Sequence, residues 1–373
     1  MGSMFNPLRS LGAVPTGARA ERVRTSPNYR DGQFRNRAAA DSPAAVPGAG
    51  RPSSAEALRE WRERGAQRPA KPVPLVRERP ATEPGDLRLT WLGHASTLVE
   101  LDGAAVLLDP IWSDRCSPVA GVGPRRLHAV PMEIAALPEL AAILISHDHY
   151  DHLDMRTIRR LTAAQSAPFV VPLGVGAHLE RWGVPADRIV ELDWDEEHAA
   201  GGLRLVATPA QHFSGRTLTR NRTLWSGWAV IGERRRVFYT GDTGYFPGFA
   251  DIGAAYGPFD ATLMQIGAYG DSWPDIHMTP EEAVAAHRDV RGELLIPVHW
   301  GTFTLAFHAW SEPIDRLLAA AEHEQVAVAV PRPGEAVDIT APVALDHWWQ
   351  RVARAPEPAA VPLHELVQGA RAD

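Results

Sequence analysis

Ser146-His147-Asp148-His149-Tyr150-Asp151-His152-Leu153-Asp154 is the stretch whose reading decides the fold. Three imidazoles and three carboxylates fall within nine residues, directly after Leu140-Ala141-Ala142-Ile143-Leu144-Ile145, an apolar run with the length and composition of a buried strand. Imidazole and carboxylate at this density suit a borderline divalent metal such as zinc, and the H-x-H-x-D-H spacing lets one loop serve two ions. In an extended segment His147 and His149 point the same way, while Asp151 and His152 lie past the turn, towards a neighbouring ion. Capping of the next helix by Asp151 or Asp154 would explain a carboxylate, but not the histidines.

Working outward, three further candidate ligands each follow an apolar run that reads as a strand. His212 follows Leu205-Val206-Ala207-Thr208-Pro209-Ala210-Gln211, Asp242 follows Val237-Phe238-Tyr239-Thr240-Gly241, and His299 follows Leu295-Ile296-Pro297-Val298. Residues 88–94, 96–101 and 104–110 read as three more strands, with Asp102-Gly103 a hairpin turn. Further strands are expected at 169–172, 189–192, 203–208, 228–231, 236–240, 261–266 and 293–298, and helices around 155–164, 174–182, 280–290 and 312–323. Strand clusters followed by helical segments, twice over, predict an α/β (α+β) chain with two sheets between helices.

The ends differ from this body. Residues 1–80 carry 15 Lys+Arg against 7 Asp+Glu, and the remainder 23 against 38, so a +8 segment precedes a −15 body. The acidic body excludes general nucleic-acid binding, which rests on neutralising phosphates; the basic segment suits phosphate or anionic lipid. Residues 5–52 show no sustained period and read as an extended arm, 54–64 as a short helix, and the prolines at 69, 72, 74, 80 and 84 as a stiff linker. The expected organisation is therefore an arm over 1–84, a sheet-based domain over 85–340 and a tail over 341–373, in which His347-Trp348-Trp349 docks as an aromatic patch. With a single cysteine, Cys116, no intrachain disulfide framework exists. No secretory apolar core or run of spanning length is evident, and the expected location is cytoplasmic.

At this point the chain resembles the metallo-β-lactamase fold superfamily over about residues 87–310. Within it the likeness is to N-acylphosphatidylethanolamine-hydrolysing phospholipase D and its bacterial relatives. Beyond the opening motif it is carried by Trp91-Leu92-Gly93-His94-Ala95, Gln211-His212, Arg216-Thr217-Leu218-Thr219, Thr240-Gly241-Asp242-Thr243-Gly244-Tyr245, Gly257-Pro258-Phe259-Asp260, Ile266-Gly267-Ala268-Tyr269, Pro280-Glu281-Glu282-Ala283 and His299-Trp300-Gly301-Thr302-Phe303. The resemblance implies a four-layer αββα sandwich with two Zn2+ per chain. One ion would be held by His147, His149 and His212, the other by Asp151, His152 and His299, with Asp242 shared. Asp151 and Asp242 would thus be catalytic by holding the ions, His277 would assist the transition state or leaving group, and Tyr150 with His277 would contact the substrate phosphate.

The implied reaction is hydrolysis of a phosphodiester, phospholipase D-like, releasing phosphatidate and an N-acylethanolamine. Its partners would be phospholipid or another phosphodiester, with peripheral membrane contact and a homodimer both compatible. Two alternatives stay open: a cytoplasmic lactonase acting on sugar or sugar-phosphate esters, and a non-catalytic metal-binding or docking protein. His94, Asp109 and Asp148 are read as orienting groups. Trp112, Trp225, Trp228, Trp273, Trp300 and Trp310 are read as packing residues, a subset of which could line an acyl groove, and Arg125, Arg126 and Arg216 as surface or phosphate-facing arginines.

Overall fold

The computed structural model describes residues 7–37, 65–77, 86–119, 121–271, 273–339 and 344–353. The helix expected over 54–64 lies outside them. In chain order the strands are β1 (Tyr29–Arg30), β2 (Gln33–Phe34), β3 (Leu87–Gly93), β4 (Ser96–Leu101), β5 (Ala104–Leu108), β6 (Ala142–Leu144), β7 (Phe169–Pro172), β8 (Ile189–Leu192), β9 (Glu197–Ala200), β10 (Leu203–Thr208), β11 (Gly227–Ile231), β12 (Arg236–Tyr239), β13 (Phe259–Gln265), β14 (Gly292–Val298), β15 (Ala327–Val328) and β16 (Ala336–Asp338). The helices are α1 (Pro7–Ser10), α2 (Gly17–Thr25), α3 (Met155–Ala164), α4 (Gly176–Trp182), α5 (Gly248–Tyr256), α6 (Pro280–Asp289), α7 (Glu312–Glu324) and α8 (Trp348–Ala353). Among the described residues, no helix is long and apolar enough to cross a membrane.

Two seven-stranded sheets, ordered β16-β3-β4-β5-β6-β7-β8 and β15-β14-β13-β12-β11-β10-β9, make the centre of the molecule. Period-two alternation sorts their side chains between layers. Val106, Leu108, Ala142 and Leu144 join the core shared with Leu203, Leu205 and Ala207 of the second sheet. Their neighbours Ala105, Leu107 and Ile143 pack instead with Ile158, Leu161 and Leu179 of α3 and α4. On the far side, Ala283 and Val284 of α6 and Ile314 and Leu317 of α7 cover the second sheet. The result is the expected helix–sheet–sheet–helix sandwich. Each fully buried aliphatic side chain contributes roughly 1.5–3 kcal/mol, which makes this core the main source of stability.

Strand direction places the chemistry. β5, β6 and β7 run parallel, and β3 shares their direction because both β3 and β5 are antiparallel to β4. In the second sheet β12, β13 and β14 are parallel, and β10 shares their direction through antiparallel β11. The loops after β3, β5, β6, β10, β12 and β14 therefore open at one edge.

The sequence reading needs correction at the N-terminus. Residues 7–37 are not an extended arm: α2 and the β1–β2 hairpin lie on the domain, Phe34 is buried beside Leu173, Trp194 and Trp225, and Arg19 pairs with Glu180 and Glu191. At the other end Trp348 and Trp349 are buried and pack against Trp300, as the aromatic-patch reading expects.

Candidate metal centre

Asp109, which directly follows β5, is the hub beneath the site. Its Oδ1 accepts the Ser146 N–H at 2.7 Å, and its Oδ2 accepts the Ser146 hydroxyl, the Tyr239 hydroxyl and His152 Nδ1–H, the last at 2.7 Å. The His152 tautomer is thereby fixed, with the Nε2 lone pair facing outward. His147 is fixed the same way, since the Ser146 hydroxyl already donates to Asp109 and so accepts from His147 Nδ1 at 2.9 Å. His212 Nδ1 donates to the Ile276 carbonyl at 3.0 Å, and His277 Nδ1 to the Ala268 carbonyl at 2.7 Å. Four imidazoles therefore turn Nε2 towards one space.

The atoms filling that space are the test of whether a metal fits. His149 Nδ1 lies 2.8 Å from His147 Nε2 and 3.2 Å from His212 Nε2, and one His149 proton cannot serve both. Nitrogens bound tetrahedrally to zinc at about 2.0–2.1 Å sit roughly 3.3–3.4 Å apart, close to this spacing. Asp242 Oδ2 stands between 3.1 and 4.0 Å from five imidazole nitrogens: those of His299, His152, His277, His147 and His212. Asp151 Oδ2 is 3.4 Å from His299 Nε2 and 3.5 Å from His152 Nε2. Yet Nε2 of His152 and of His299 and Oδ1 of Asp242, all on residues expected as ligands, are buried with no hydrogen-bond partner. Orphaned lone pairs in a dry setting cost about 1–3 kcal/mol each, and cations would satisfy them together. The residues present fit divalent metal.

Electrostatics agree. Burial pushes the His147 and His212 imidazoles well below the ordinary histidine range, which favours the neutral, metal-binding form. At Asp242 and Asp151 burial is opposed and outweighed by His152 and other imidazoles, so both carboxyls lie well below their usual range. At His299 burial is outweighed by Asp242 and Asp151, and the pKa is pushed up to about 9.

All seven residues expected as ligands meet here: His147, His149 and His212 form one group, Asp151, His152 and His299 another that also includes His94, and Asp242 groups with His147 and His152 and with His212 and His277. Backbone strain accompanies them, because Asp109, His94, Ala268 and His299 hold φ between +36° and +64°. Gly241 precedes Asp242 at φ +59°, where a Cβ would stand 2.6 Å from the Ser226 carbonyl. His277 reaches Asp242 at 3.3 Å, and His94 Nε2 engages Asp151 at 3.0 Å as an orienting group would. Tyr150 points its hydroxyl to the Arg216 carbonyl at 2.7 Å, and its ring packs beside Ile111, Cys116 and Phe303.

Other expectations change. Arg216 is no surface arginine: it is buried over the Tyr150 ring and donates to the carbonyls of Ser10, Asp148 and Leu153. Arg126 is likewise buried, bonded to the Ile111 carbonyl, while Arg125 pairs with Asp114. Asp148 does accept an imidazole, but from His178 on α4 and not from the motif. Trp225, Trp228, Trp300 and Trp310 are buried packing residues. Sequence reasoning missed Asn36 and His178, whose roles depend on contacts across 176 and 30 residues of chain.

The beta-lactamase superfamily domain matches residues 104–300. An uncharacterized protein of Mycobacterium tuberculosis is 53% identical over 356 residues, spanning 92% of this chain and 94% of that one. The N-acyl-phosphatidylethanolamine-hydrolyzing phospholipase D 1 of Caenorhabditis elegans is 42% identical over 241 residues, 61% of this chain and 68% of that one. Among solved structures, Igni18, a metallo hydrolase of Ignicoccus hospitalis, superposes with TM-score 0.52 at 24% identity over 67% of this chain and 97% of that one, a likeness of fold alone. The chain therefore belongs to the beta-lactamase superfamily and has the metallo-β-lactamase fold.

Proposed function

We propose that the protein is a dinuclear zinc hydrolase of phospholipase D type, cleaving N-acylphosphatidylethanolamine-like lipids to N-acylethanolamine and phosphatidate. The observation that carries hydrolysis is the meeting of seven metal-ligating side chains at one strand edge. His147, His149 and His212 would hold one ion, Asp151, His152 and His299 the other, and Asp242 both. When bound, such a pair brings the pKa of water towards neutrality and polarises a phosphoryl or carbonyl oxygen.

The chain's own groups then divide the work. Asp109 and His94 hold His152 and Asp151 in orientation. His277, with Nδ1–H committed to Ala268, has Nε2 at the site to hold a proton for the departing alkoxide. Tyr150 lines a neighbouring cavity of about 220 Å³ with Arg115 and Arg156, and with Asp114 and Asp154, where a phosphodiester headgroup would be placed against the arginines.

For the substrate, support comes from the worm relative and from the rim of that cavity. Six large hydrophobic residues are exposed among the described residues; one of them, Val119, lines that cavity, and Val14, Val122 and Leu218 follow within four residues of its other lining residues Ser10, Pro118 and Arg216. These segments are cross-bonded: the Ser10 hydroxyl donates to the Pro118 carbonyl, and Arg216 donates to the Ser10 carbonyl at 2.8 Å. Exposed apolar side chains beside arginines suit an anionic lipid surface better than a sugar lactone. A peripheral position at a membrane follows from that reading.

Purified protein assayed against N-acylated phospholipid, bis-p-nitrophenyl phosphate and lactones tests the substrate. Turnover of lactones with inert phosphodiesters would replace the lipid reading by the lactonase one. The double variant Leu218→Asp, Val122→Asp is expected to lose binding to phosphatidylglycerol vesicles and lipid turnover while keeping hydrolysis of the soluble diester. Unchanged vesicle binding would reject the rim.

A further inference from the structure

Residues 7–37 lie outside the region matched by the superfamily domain, yet they touch the metal loops at three places. The first is a two-way amide clamp. Asn36 Nδ2 donates to the His212 carbonyl and Asn36 Oδ1 accepts the His212 N–H, both at 3.0 Å, so one side chain holds His212 as a paired strand would. Oδ1 also accepts Trp225 Nε1–H at 3.0 Å, and Trp225 is buried, so the amide itself is fixed in orientation.

The second contact runs through α4. The Ala13 N–H donates to His178 Nδ1 at 2.9 Å, which commits the His178 proton to Nε2 and hence to Asp148, 3.2 Å away. Asp148 stands between His147 and His149, and its other oxygen accepts the Gly215 N–H at 2.7 Å. In the third, Arg216 links the Ser10 carbonyl to the carbonyls of Asp148 and Leu153. The groups reached are the backbone of His212, directly through Asn36, and the 146–154 loop, which Arg216 meets at Asp148, between His147 and His149, and at Leu153, next to His152. The structure shows no such contact from these residues to His152, Asp242 or His299 among the described hydrogen bonds.

We infer that residues 10–36 form a strap over the metal loops in which Asn36 is the positioning residue for His212, and so for the half of the metal centre that His212 serves. This rests on the reading that these histidines hold metal. Without the clamp, the chain at His212 would lose both the donor and the acceptor that fix its path, and the imidazole would leave the 3.2 Å register with His149. Loss of an outer hydrogen bond to a ligand typically weakens metal binding about 10–100-fold.

The test is Co2+ binding to chelator-stripped full-length protein, followed by the visible d–d absorption, for wild type, Asn36→Ala, Asn36→Asp and His212→Ala. His212→Ala identifies which of two binding steps belongs to its half. Asn36→Ala is expected to weaken that step about 10–100-fold, with a shifted absorption band, and to leave the other step unchanged. Asn36→Asp, which keeps the acceptor for Trp225 but loses the donor, is expected to shift the same step. Arg22→Ala, which removes only the exposed Arg22–Glu196 pair, is expected to bind as wild type. Wild-type binding of both ions in Asn36→Ala, or equal weakening of both steps, would overturn the strap. Wild type taking up no Co2+ would instead overturn the metal reading beneath it, and the strap with it.

Discussion

His147 and His212 are set by neutral groups, a serine hydroxyl, a backbone carbonyl and an asparagine amide, and His149 meets only their imidazoles, whereas His152 and His299 stand among carboxylates. The first half offers nitrogen lone pairs that repel one another. The second carries negative charge from Asp109 and Asp151 that must be balanced by a cation or a proton; at His299, Asp242 and Asp151 outweigh burial and push the pKa up to about 9, while burial pushes His147 down. Neutral imidazole suits zinc, and a carboxylate-bearing half is more tolerant of harder ions such as Mn2+. Two ions of one enzyme need not be bound equally well or be of equal identity.

The sharpest way to break this comparison is to remove the group both halves share. Asp242→Ala is expected to abolish turnover and strip both ions, as read by metal content after gel filtration. Retention of one ion would show that Asp242 belongs to a single half. His277→Ala comes next: it should keep both ions and lose about 10²–10⁴-fold in kcat, the range of a general acid. Full turnover would remove its role. Asp109→Asn removes the carboxylate that His152 meets directly and His147 only through the Ser146 hydroxyl, and should weaken the second half about 10–100-fold and the first half less. It should also lower stability by about 1–3 kcal/mol in denaturant unfolding, because Ser146 and Tyr239 share that acceptor. Smallest is Arg125→Ala: the Arg125–Asp114 pair is exposed, and stability should change within about ±0.5 kcal/mol with both ions retained.

What could be read in the sequence was whatever signals locally. The motif at 146–154 announces itself through density of ligands, and His212, Asp242 and His299 through the apolar strands before them. Strand direction brings these together, and the strand pattern contains that direction. Helix α5 escaped because it opens after Pro247 without a side-chain cap and carries two glycines. Strand β9 escaped because its alternation is of half-buried and exposed residues with no apolar face. The strap escaped for a deeper reason. Two of its contacts use backbone atoms, Ser10 O and Ala13 N, which any residue supplies, and Asn36 is a single polar side chain in an arginine-rich stretch with no period. Arg216 misled for the converse reason, since nothing local distinguishes a buried guanidinium from a solvated one.

Metal content of the purified full-length protein, measured by inductively coupled plasma mass spectrometry alongside Asp242→Ala, tests the central claim most directly. Two divalent ions per wild-type chain, predominantly zinc, and neither in the variant are expected. Fewer than one ion per wild-type chain after growth in zinc-supplemented medium would contradict the dinuclear centre and the hydrolytic function built on it.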